Sequence, residues 1–165
     1  VGVDAGVEDV GRDARAGLGR LVGAVERQLR VVDPVEAPRG LARRLAEAWV
    51  EVLLVPSCTD TVAGFNRVRI GAMARALESQ CVVVHAPTVG SCDWNPAIDE
   101  NRGRAAIYAP PDGLWPETGI VAEGEMDAPG WGRATVDLDL VAESRRDGRV
   151  LPFAHWPESA GPRVG

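Results

Sequence analysis

The chain has 165 residues, a formal net charge of −6 and an isoelectric point near 5.0, with 45% hydrophobic and 25% charged residues. This composition is ordinary for a globular protein, and the length suits one domain with a substantial core. The acidic balance argues against nucleic acid or an anionic membrane as a partner, because phosphate groups are bound by basic surfaces.

Neither a membrane span nor a secretory signal is predicted. No apolar run approaches the ~20 residues that cross a bilayer, and the chain does not start with a basic segment followed by an apolar one. Cys58, Cys81 and Cys92 are odd in number and lack metal-ligand spacing, so we predict reduced thiols in a cytoplasmic protein. The sequence shows no metal motif and no phosphate-binding glycine loop, and no cofactor is predicted.

Residues 1–40 differ in composition from the rest of the chain. Val, Gly, Ala, Arg and Asp fill 31 of these 40 positions, and the first aromatic residue is Trp49. One interpretation is out-of-frame translation upstream of a genuine coding region, because all five residue types have GC-rich codons. The alternative is an amphipathic helix, whose apolar residues recur at helical spacing: Leu18, Leu21, Val22, Val25 and Leu29.

Two helix–strand pairs are predicted next. A helix opens at Pro38 and runs to about Trp49, since a first-turn proline costs no hydrogen bond. The β-branched run Val50–Val55 predicts a buried strand. The polar residues 57–61 favour a helix N-cap, and a helix follows over about 62–80. Its predicted apolar stripe contains Phe65, Val68, Ala72 and Ala76. A second buried strand is predicted over Cys81–His85.

The remaining segments alternate between polar connections and short elements. Residues 88–103 are predicted to be a long polar loop, and 104–109 a third strand closed by a Pro-Pro-Asp-Gly turn. Residues 120–125 and 132–139 are predicted to pair as a hairpin, with Asp137 and Asp139 on its polar face. A short helix over 140–146 ends at Gly148, and 151–165 is predicted to be loosely ordered. This alternation of helices and strands is typical of a layered α/β fold.

An ordered series of segments resembles the carbon–nitrogen hydrolase (nitrilase) superfamily. The helix end Arg67–Cys81 is similar to the family's Arg-Ala-x-Glu-Asn-Gln motif, with Ser79 in place of Asn. The other matching segments are Leu41–Ala48, Glu51–Asp60, Asp99–Asp112 and Gly132–Leu140. Together they cover most of residues 41–145.

The resemblance implies an α-β-β-α layered sandwich of the nitrilase type, of which this chain is the incomplete C-terminal half. It also implies pairing with a second copy, so a homo-oligomer such as a dimer is expected. The implied chemistry is hydrolysis of a non-peptide C–N bond in a small-molecule amide or nitrile. In that chemistry a cysteine thiolate attacks carbon, a glutamate transfers protons and a lysine stabilises the oxyanion.

All three catalytic positions of the family are missing or changed in this chain. Residues 31–38, Val-Val-Asp-Pro-Val-Glu-Ala-Pro, align with the family segment that carries the cysteine. Glu36 and Pro38 match that segment, but the nucleophile position falls on Val32. The family's glutamate and lysine belong to an N-terminal half that is not recognisable here. The chain contains no lysine at all, because its 18 Lys+Arg residues are all arginine.

Cys58, Thr59, His85 and Trp94 are the candidates for lining a substrate pocket. Cys58 is either a substitute nucleophile or a small residue after a strand end, and no basic partner lies near it in sequence. His85 ends a buried strand, where ligands often bind, or is a hydrogen-bonded structural residue. Trp94 lies in a loop that borders the pocket in the family, or anchors a solvated acidic loop. Cys81 is predicted to lie in the core.

The sequence leaves two main functional hypotheses open. The first is the C-terminal part of a carbon–nitrogen hydrolase, truncated or frameshifted and inactive as it stands. The second is a non-catalytic relative that keeps the fold for ligand binding or dimerisation. A third hypothesis is that the chain is a small independent α/β binding module. The predicted regions are an atypical segment 1–40, a partial hydrolase domain 41–150 and a tail 151–165. A half-sandwich exposes apolar faces, so we predict poor solubility.

Overall fold

The structure, a computed structural model, describes residues 29–31 and 39–159. Its elements in chain order are β1 (Leu29–Val31), α1 (Arg39–Glu47), β2 (Val52–Ser57), α2 (Val62–Ser79), β3 (Val82–Pro87), β4 (Gly90–Ser91), β5 (Glu100–Asn101), β6 (Ala106–Tyr108), β7 (Ile120–Glu123), α3 (Asp139–Asp147) and α4 (Pro152–His155). A 3₁₀ turn over Trp156–Ser159 follows α4. Among the helices of these residues, none is both long and apolar enough to cross a membrane.

Five strands form one mixed sheet in the order β1-β2-β3-β6-β7. β1, β2 and β3 are parallel, with Val31 opposite Leu54 and Val55 opposite His85. Parallel neighbours need a crossover connection, which α2 supplies between β2 and β3. β6 and β7 add to the sheet in antiparallel orientation. The predicted α/β class is confirmed, and the carboxyl ends of β1, β2 and β3 lie at one edge of the sheet.

Both predicted buried strands are present and extend beyond their hydrophobic runs. β2 continues to Ser57 and β3 to Pro87. The register places Pro56 opposite Ala86 and Ser57 opposite Pro87. Pairing with the neighbouring strand therefore decides where each strand ends, and this pairing is not visible in the hydrophobic pattern of one segment.

The helix α2 begins and ends with specific caps. The Thr61 hydroxyl accepts a hydrogen bond from Gly64 N at 3.1 Å, which satisfies one free donor of the first turn. Gln80 closes the helix in the left-handed conformation, with φ at 43°. The predicted apolar stripe is buried along its whole length: Phe65, Val68, Ala72 and Ala76. The predictions of the start, end and buried face of α2 are confirmed.

The main core lies between the sheet and the helices α1 and α2. Its buried members are Val50, Leu53, Val55, Val68, Ala72, Ala76, Cys81, Val83, Ala106 and Tyr108. A smaller cluster on the opposite face contains Val82, Ile107 and Val141, because successive strand residues point to opposite faces. Cys81 lies in the core as predicted, and burial raises the pKa of its thiol to about 12.

The predicted hairpin between residues 120–125 and 132–139 does not form. β7 pairs with β6, and the residues that follow β7 continue along the same partner segment. Gly124 N donates to Ala105 O at 2.8 Å, and Asp127 N donates to Gly103 O at 2.7 Å. The partner of β7 is thus a strand earlier in the chain, and alternation of polar and apolar residues cannot identify a partner.

Residues 132–137 contain no strand, and half-buried and exposed side chains alternate only over residues 135–140. Val136 and Leu138 pack against the smaller cluster. Asp137 is not on a strand face, since no strand forms there, and its carboxylate accepts a hydrogen bond from Asp139 N at 3.0 Å, at the start of α3. The alternation therefore reflects contact with the sheet surface and not membership of the sheet.

The prediction of a loosely ordered tail is wrong for residues 151–159, and residues 160–165 lie outside the described part. Pro152 occupies the first turn of α4, where proline fits. The Phe153 ring centre lies 5.1 Å from that of Trp49. Phe153 N donates to Gln80 Oε1 at 3.3 Å, and Gln80 Nε2 donates to Ser144 O at 2.6 Å. Contacts with Trp49, α2 and α3 order this segment, despite its prolines.

Candidate functional site

Polar side chains gather at the carboxyl edge of β2 and β3. Ser57 ends β2 and is followed by two residues of the predicted set, while His85 lies in the last half of β3. Ligands of open α/β sheets bind at this edge, because the chain there leaves the sheet and loops surround a crevice. The carboxyl-edge cluster, as we call it, consists of Ser57, Cys58, Thr59, His85, Thr88 and Asn101.

Asn101 is the centre of this cluster and is only 7% exposed. Its Oδ1 accepts hydrogen bonds from Cys58 Sγ and from Thr88 Oγ1, each at 2.9 Å. Its Nδ2 donates to Ile98 O at 2.8 Å and to Gly90 O at 3.2 Å. All four side-chain hydrogen-bonding positions of this buried amide are directed at named partners, so Asn101 fixes the ends of β2 and β3 relative to the next segment.

That next segment is a two-stranded hairpin, where the sequence predicted a polar loop. β4 and β5 pair antiparallel, with Gly90 opposite Asn101 and Ser91 opposite Glu100. Each strand has two residues, which is too short for periodicity to reveal. Asn101 was not among the predicted site residues, because a single loop asparagine carries no sequence signal until its partners are brought together.

Cys58 and Thr59 both turn toward the segment that follows the hairpin. Cys58 is exposed, and its thiol donates to the amide oxygen of Asn101. Thr59 Oγ1 donates to Arg102 O at 3.1 Å, and Arg102 N donates to Thr59 O at 2.8 Å. The structure thus brings Cys58 and Thr59 together at one edge and gives both of them partners that are amide or backbone groups.

An ion pair between Arg102 and Asp127 lies next to the carboxyl-edge cluster. Arg102 donates to Asp127 Oδ2 from Nε at 2.9 Å and from Nη2 at 2.7 Å, while Gly103 N donates to Oδ1 at 3.0 Å. The hydrogen bonds from Arg102 hold the pKa of the Asp127 carboxyl below its usual value. Gly103 must be glycine, because a Cβ there would lie 2.7 Å from Cβ of Pro87. The sequence predicted neither contact.

His85 is buried on the helix-facing side of β3. Its Nε2 lies 2.9 Å from Ser57 Oγ, and its ring stacks on Phe65 with ring centres 5.5 Å apart. Burial, with a smaller contribution from the nearby Arg69 charge, lowers the pKa of His85 to about 4. The imidazole is therefore neutral near pH 7 and a weak base, which makes it a poor activator of a nucleophile.

Trp94 is separated from the cluster. It lies in the connection between β4 and β5, and it is 81% exposed. An indole with so little surface covered contributes little to the hairpin itself. Cys58, Thr59 and His85 lie at one edge of the sheet, whereas Trp94 lies on an exposed turn. It stays a prediction that these four residues line a substrate pocket.

The family's nucleophile position, Val32, lies outside the described residues, as do Glu36 and Pro38. Its preceding residue Val31 pairs with Leu54 of β2. Within residues 29–31 and 39–159, the His, Cys, Asp and Glu side chains form no group of three or more that could hold a metal ion.

The sequence of this chain is similar to those of two named proteins, one from a bacterium and one from a mammal. A Bacillus subtilis (strain 168) protein named probable hydrolase YhcX is 30% identical over 122 residues, which are 74% of this chain and 24% of that protein. The deaminated glutathione amidase of Rattus norvegicus is 29% identical over 106 residues, 64% of this chain and 29% of that protein. The chain therefore spans less than a third of each relative. No protein-family model matches the sequence.

The fold is similar to that of a solved structure, the NitFhit protein of C. elegans. The TM-score is 0.57 at 23% identity, over 82% of this chain and 28% of NitFhit. At this identity the likeness shows the fold, which in that protein is the nitrilase fold. The sequence similarity to a hydrolase and an amidase, together with this shared fold, places the chain in the carbon–nitrogen hydrolase superfamily.

Proposed function

We propose that this chain is the C-terminal portion of a carbon–nitrogen hydrolase and has no hydrolase activity by itself. Its full-length parent cleaves the C–N bond of a small non-peptide amide or nitrile. The observation that carries the proposal is the partner of the exposed thiol: Cys58 Sγ donates to the Asn101 amide oxygen at 2.9 Å. A thiolate nucleophile needs a base or a cation beside it, and an amide oxygen is neither.

No other described residue supplies the missing base to Cys58. His85 directs Nε2 to Ser57, its ring is buried against Phe65, and its pKa lies near 4. Oxyanion stabilisation by lysine is absent too, because the 165 residues contain none. These features support the proposal that the chain keeps part of the hydrolase fold but lacks the groups that perform the reaction.

The missing roles belong, in this proposal, to sequence upstream of residue 41 that is absent or read in another frame. The nucleophile position falls on Val32, inside the segment of atypical composition. Resequencing the DNA through codons 1–40 and upstream tests this. A shifted frame that encodes a cysteine near position 32, with a glutamate and a lysine further upstream, supports it. A confirmed frame argues for a non-catalytic relative instead.

Activity of the chain itself is tested by ammonia release from a panel of small amides and nitriles. We expect release no faster than that in buffer. The matched variants are Cys58→Ser at the carboxyl edge and Cys92→Ser in the hairpin connection. Hydrolysis that Cys58→Ser abolishes and Cys92→Ser preserves would sink the proposal, because Cys58 would then be a working nucleophile.

The second candidate function is a non-catalytic relative that uses the fold for ligand binding or pairing. The observation that favours it is the complete hydrogen bonding of Asn101, which builds an ordered edge without catalytic groups. A monodisperse chain that melts cooperatively supports this function. Aggregation on purification supports the fragment.

Substrate class, assembly and location belong to the same proposal. The amidase among the relatives favours a small-molecule amide for the parent. We propose a homo-oligomer for the folded protein and a cytoplasmic location, the latter from the three unpaired cysteines. Sedimentation of the purified protein tests the first of these, and fractionation of the source cells tests the second.

A further inference from the structure

The Ser57–His85 pair joins a half-buried hydroxyl to a buried imidazole. His85 is 1% exposed, and its Nε2 lies 2.9 Å from Ser57 Oγ. Its other ring nitrogen, Nδ1, has no hydrogen-bond partner among the described residues. The ring is flanked by Phe65 and Tyr108, whose ring centres lie 5.5 and 6.3 Å away.

These surroundings decide which nitrogen of His85 carries the hydrogen. A hydrogen on Nδ1 would leave a buried N–H without an acceptor, and a buried donor without a partner destabilises the fold. A hydrogen on Nε2 is donated to Ser57 Oγ and leaves only a bare lone pair on Nδ1. Buried donors without partners are rarer in proteins than buried acceptors without partners. The Nε2–H form of the neutral ring is therefore favoured.

In this form the Ser57 hydroxyl accepts from His85 and keeps its own hydrogen to donate. The other side chains of the carboxyl-edge cluster already donate to protein acceptors. Cys58 and Thr88 donate to Asn101, and Thr59 donates to the backbone of Arg102. Among the described residues, Ser57 is thus the hydroxyl of the cluster that has a hydrogen left for a ligand.

We infer that His85 is a positioning residue that presents Ser57 as a hydrogen-bond donor to the carbonyl oxygen of a small amide or carboxylate. This inference rests on the proposed function, which supplies the amide class of ligand, and adds the atom that recognises it. Ser57 is a binding group here and not a nucleophile, because the imidazole donates to it and takes no proton from it.

The first test reads the tautomer directly. Two-bond ¹H–¹⁵N correlation spectra of the histidine rings at pH 7 show which nitrogen carries the hydrogen. The chain has two histidines, and His155→Gln assigns the remaining signal to His85. We expect hydrogen on Nε2 of His85. Hydrogen on Nδ1 overturns the inference, whether or not the chain hydrolyses amides.

The second test measures binding of acetamide and, separately, of acetate by amide chemical shifts of the full chain. We expect saturable chemical-shift changes at Ser57 and Cys58. Tighter binding of acetamide indicates a site for the amide substrate, and tighter binding of acetate indicates a site for the carboxylate product. One hydrogen bond is worth about 1 kcal/mol, so Ser57→Ala should raise the Kd about fivefold or more. Ser91→Ala, on exposed β4, should leave the Kd unchanged.

The variants of His85 separate positioning from a purely structural role. His85→Gln places an N–H donor near the former Nε2 and should restore most of the affinity that His85→Leu loses. Equal affinity in wild type and Ser57→Ala, or no saturable shift with either probe, overturns the inference. Neither result affects the proposed function, which is decided by ammonia release and resequencing.

Discussion

Arg145 is a charged side chain in the interior, only 6% exposed, and its partners are backbone carbonyls. Its Nη2 donates to Val50 O at 2.6 Å and to Ser79 O at 3.0 Å, and its Nε donates to Ser79 O at 3.2 Å. The guanidinium carbon lies 4.2 Å from the centre of the Phe153 ring, in cation–π contact. Arg145 therefore connects α3 to the start of β2 and the end of α2.

We expect Arg145→Met to lower the free energy of unfolding by about 2–4 kcal/mol, because two buried carbonyl groups lose charged donors. Urea denaturation followed by circular dichroism measures this. The matched control is Arg146→Met, since Arg146 is exposed and pairs with exposed Asp147. The control should change stability by less than about 0.5 kcal/mol. Equal effects at the two positions would contradict the role given to Arg145.

His85 gives stability a pH dependence with a definite sign. Its folded pKa of about 4 lies below the ordinary histidine value of 6.5, so the unfolded chain binds more protons between these pH values. The contribution of the neutral His85 to stability is complete above pH 6.5 and is lost as the pH falls toward 4. The loss amounts to about 3 kcal/mol at most.

The measurement is the urea midpoint from pH 7 to pH 4, in wild type and in His85→Gln. The variant should lack the part of the decline that falls between pH 6.5 and 4. His155→Gln should decline as wild type does. A His85→Gln curve parallel to that of wild type would show that His85 does not titrate with a lowered pKa.

At the scale of elements, the β4–β5 hairpin depends on one side chain for its position. Its strands have two residues each, and isolated hairpins are marginally stable in water. Asn101 ties the hairpin internally through Gly90 O and Ile98 O, and externally through Cys58 and Thr88. The long polar stretch is ordered for this reason, while its connection leaves Trp94 exposed.

We expect Asn101→Ala to speed hydrogen exchange of the Cys92 amide, which donates to Asp99 O at 2.9 Å within the hairpin. A loss of about 1–2 kcal/mol in local stability corresponds to a rise in exchange rate of about 5- to 30-fold. Asn95→Ala is the control, because the side-chain oxygen of Asn95 accepts from Ala97 N, two residues away in the same turn. Exchange at Cys92 that is unchanged in Asn101→Ala would show that the turn itself orders the hairpin.

At the scale of the whole molecule, the two faces of the sheet are covered unequally. The face toward α1 and α2 buries Leu53, Val55 and Val83 almost completely. The opposite face leaves Val52, Leu54, Val84 and Val121 half-buried and Ala86 exposed. The sequence resemblance implies a layered sandwich, in which such a face is covered. Its apolar surface is the physical basis of the predicted poor solubility.

Val83 and Val84 are neighbours on β3 that point to opposite faces, and they test this directly. We expect Val84→Thr to reduce aggregation and binding of a hydrophobic dye, at a cost below about 1 kcal/mol. Val83→Thr buries a hydroxyl in the core and should cost about 1–3 kcal/mol. Light scattering and denaturation of both variants give the comparison. Val84→Thr as insoluble as wild type would argue that the half-buried face is not the cause.

Some features followed from the sequence because local physics decides them. The helix α2, with its Thr61 cap and its Phe65–Ala76 stripe, and the strands β2 and β3 are set by hydrogen bonding and apolar spacing within one segment. The ordered matches from Leu41 onward likewise indicated the superfamily. The carboxyl edge could be predicted in outline, since Cys58, Thr59 and His85 sit at or near strand ends.

The tertiary structure alone decided which segments become partners. β7 pairs with β6 and not with residues 132–139, Asn101 joins two strand ends to a hairpin, and α4 packs on Trp49 and Gln80. In each case the deciding hydrogen bond or contact joins residues far apart in sequence. Periodicity reports which side of a segment is apolar, but not which donor meets which acceptor once the chain has folded.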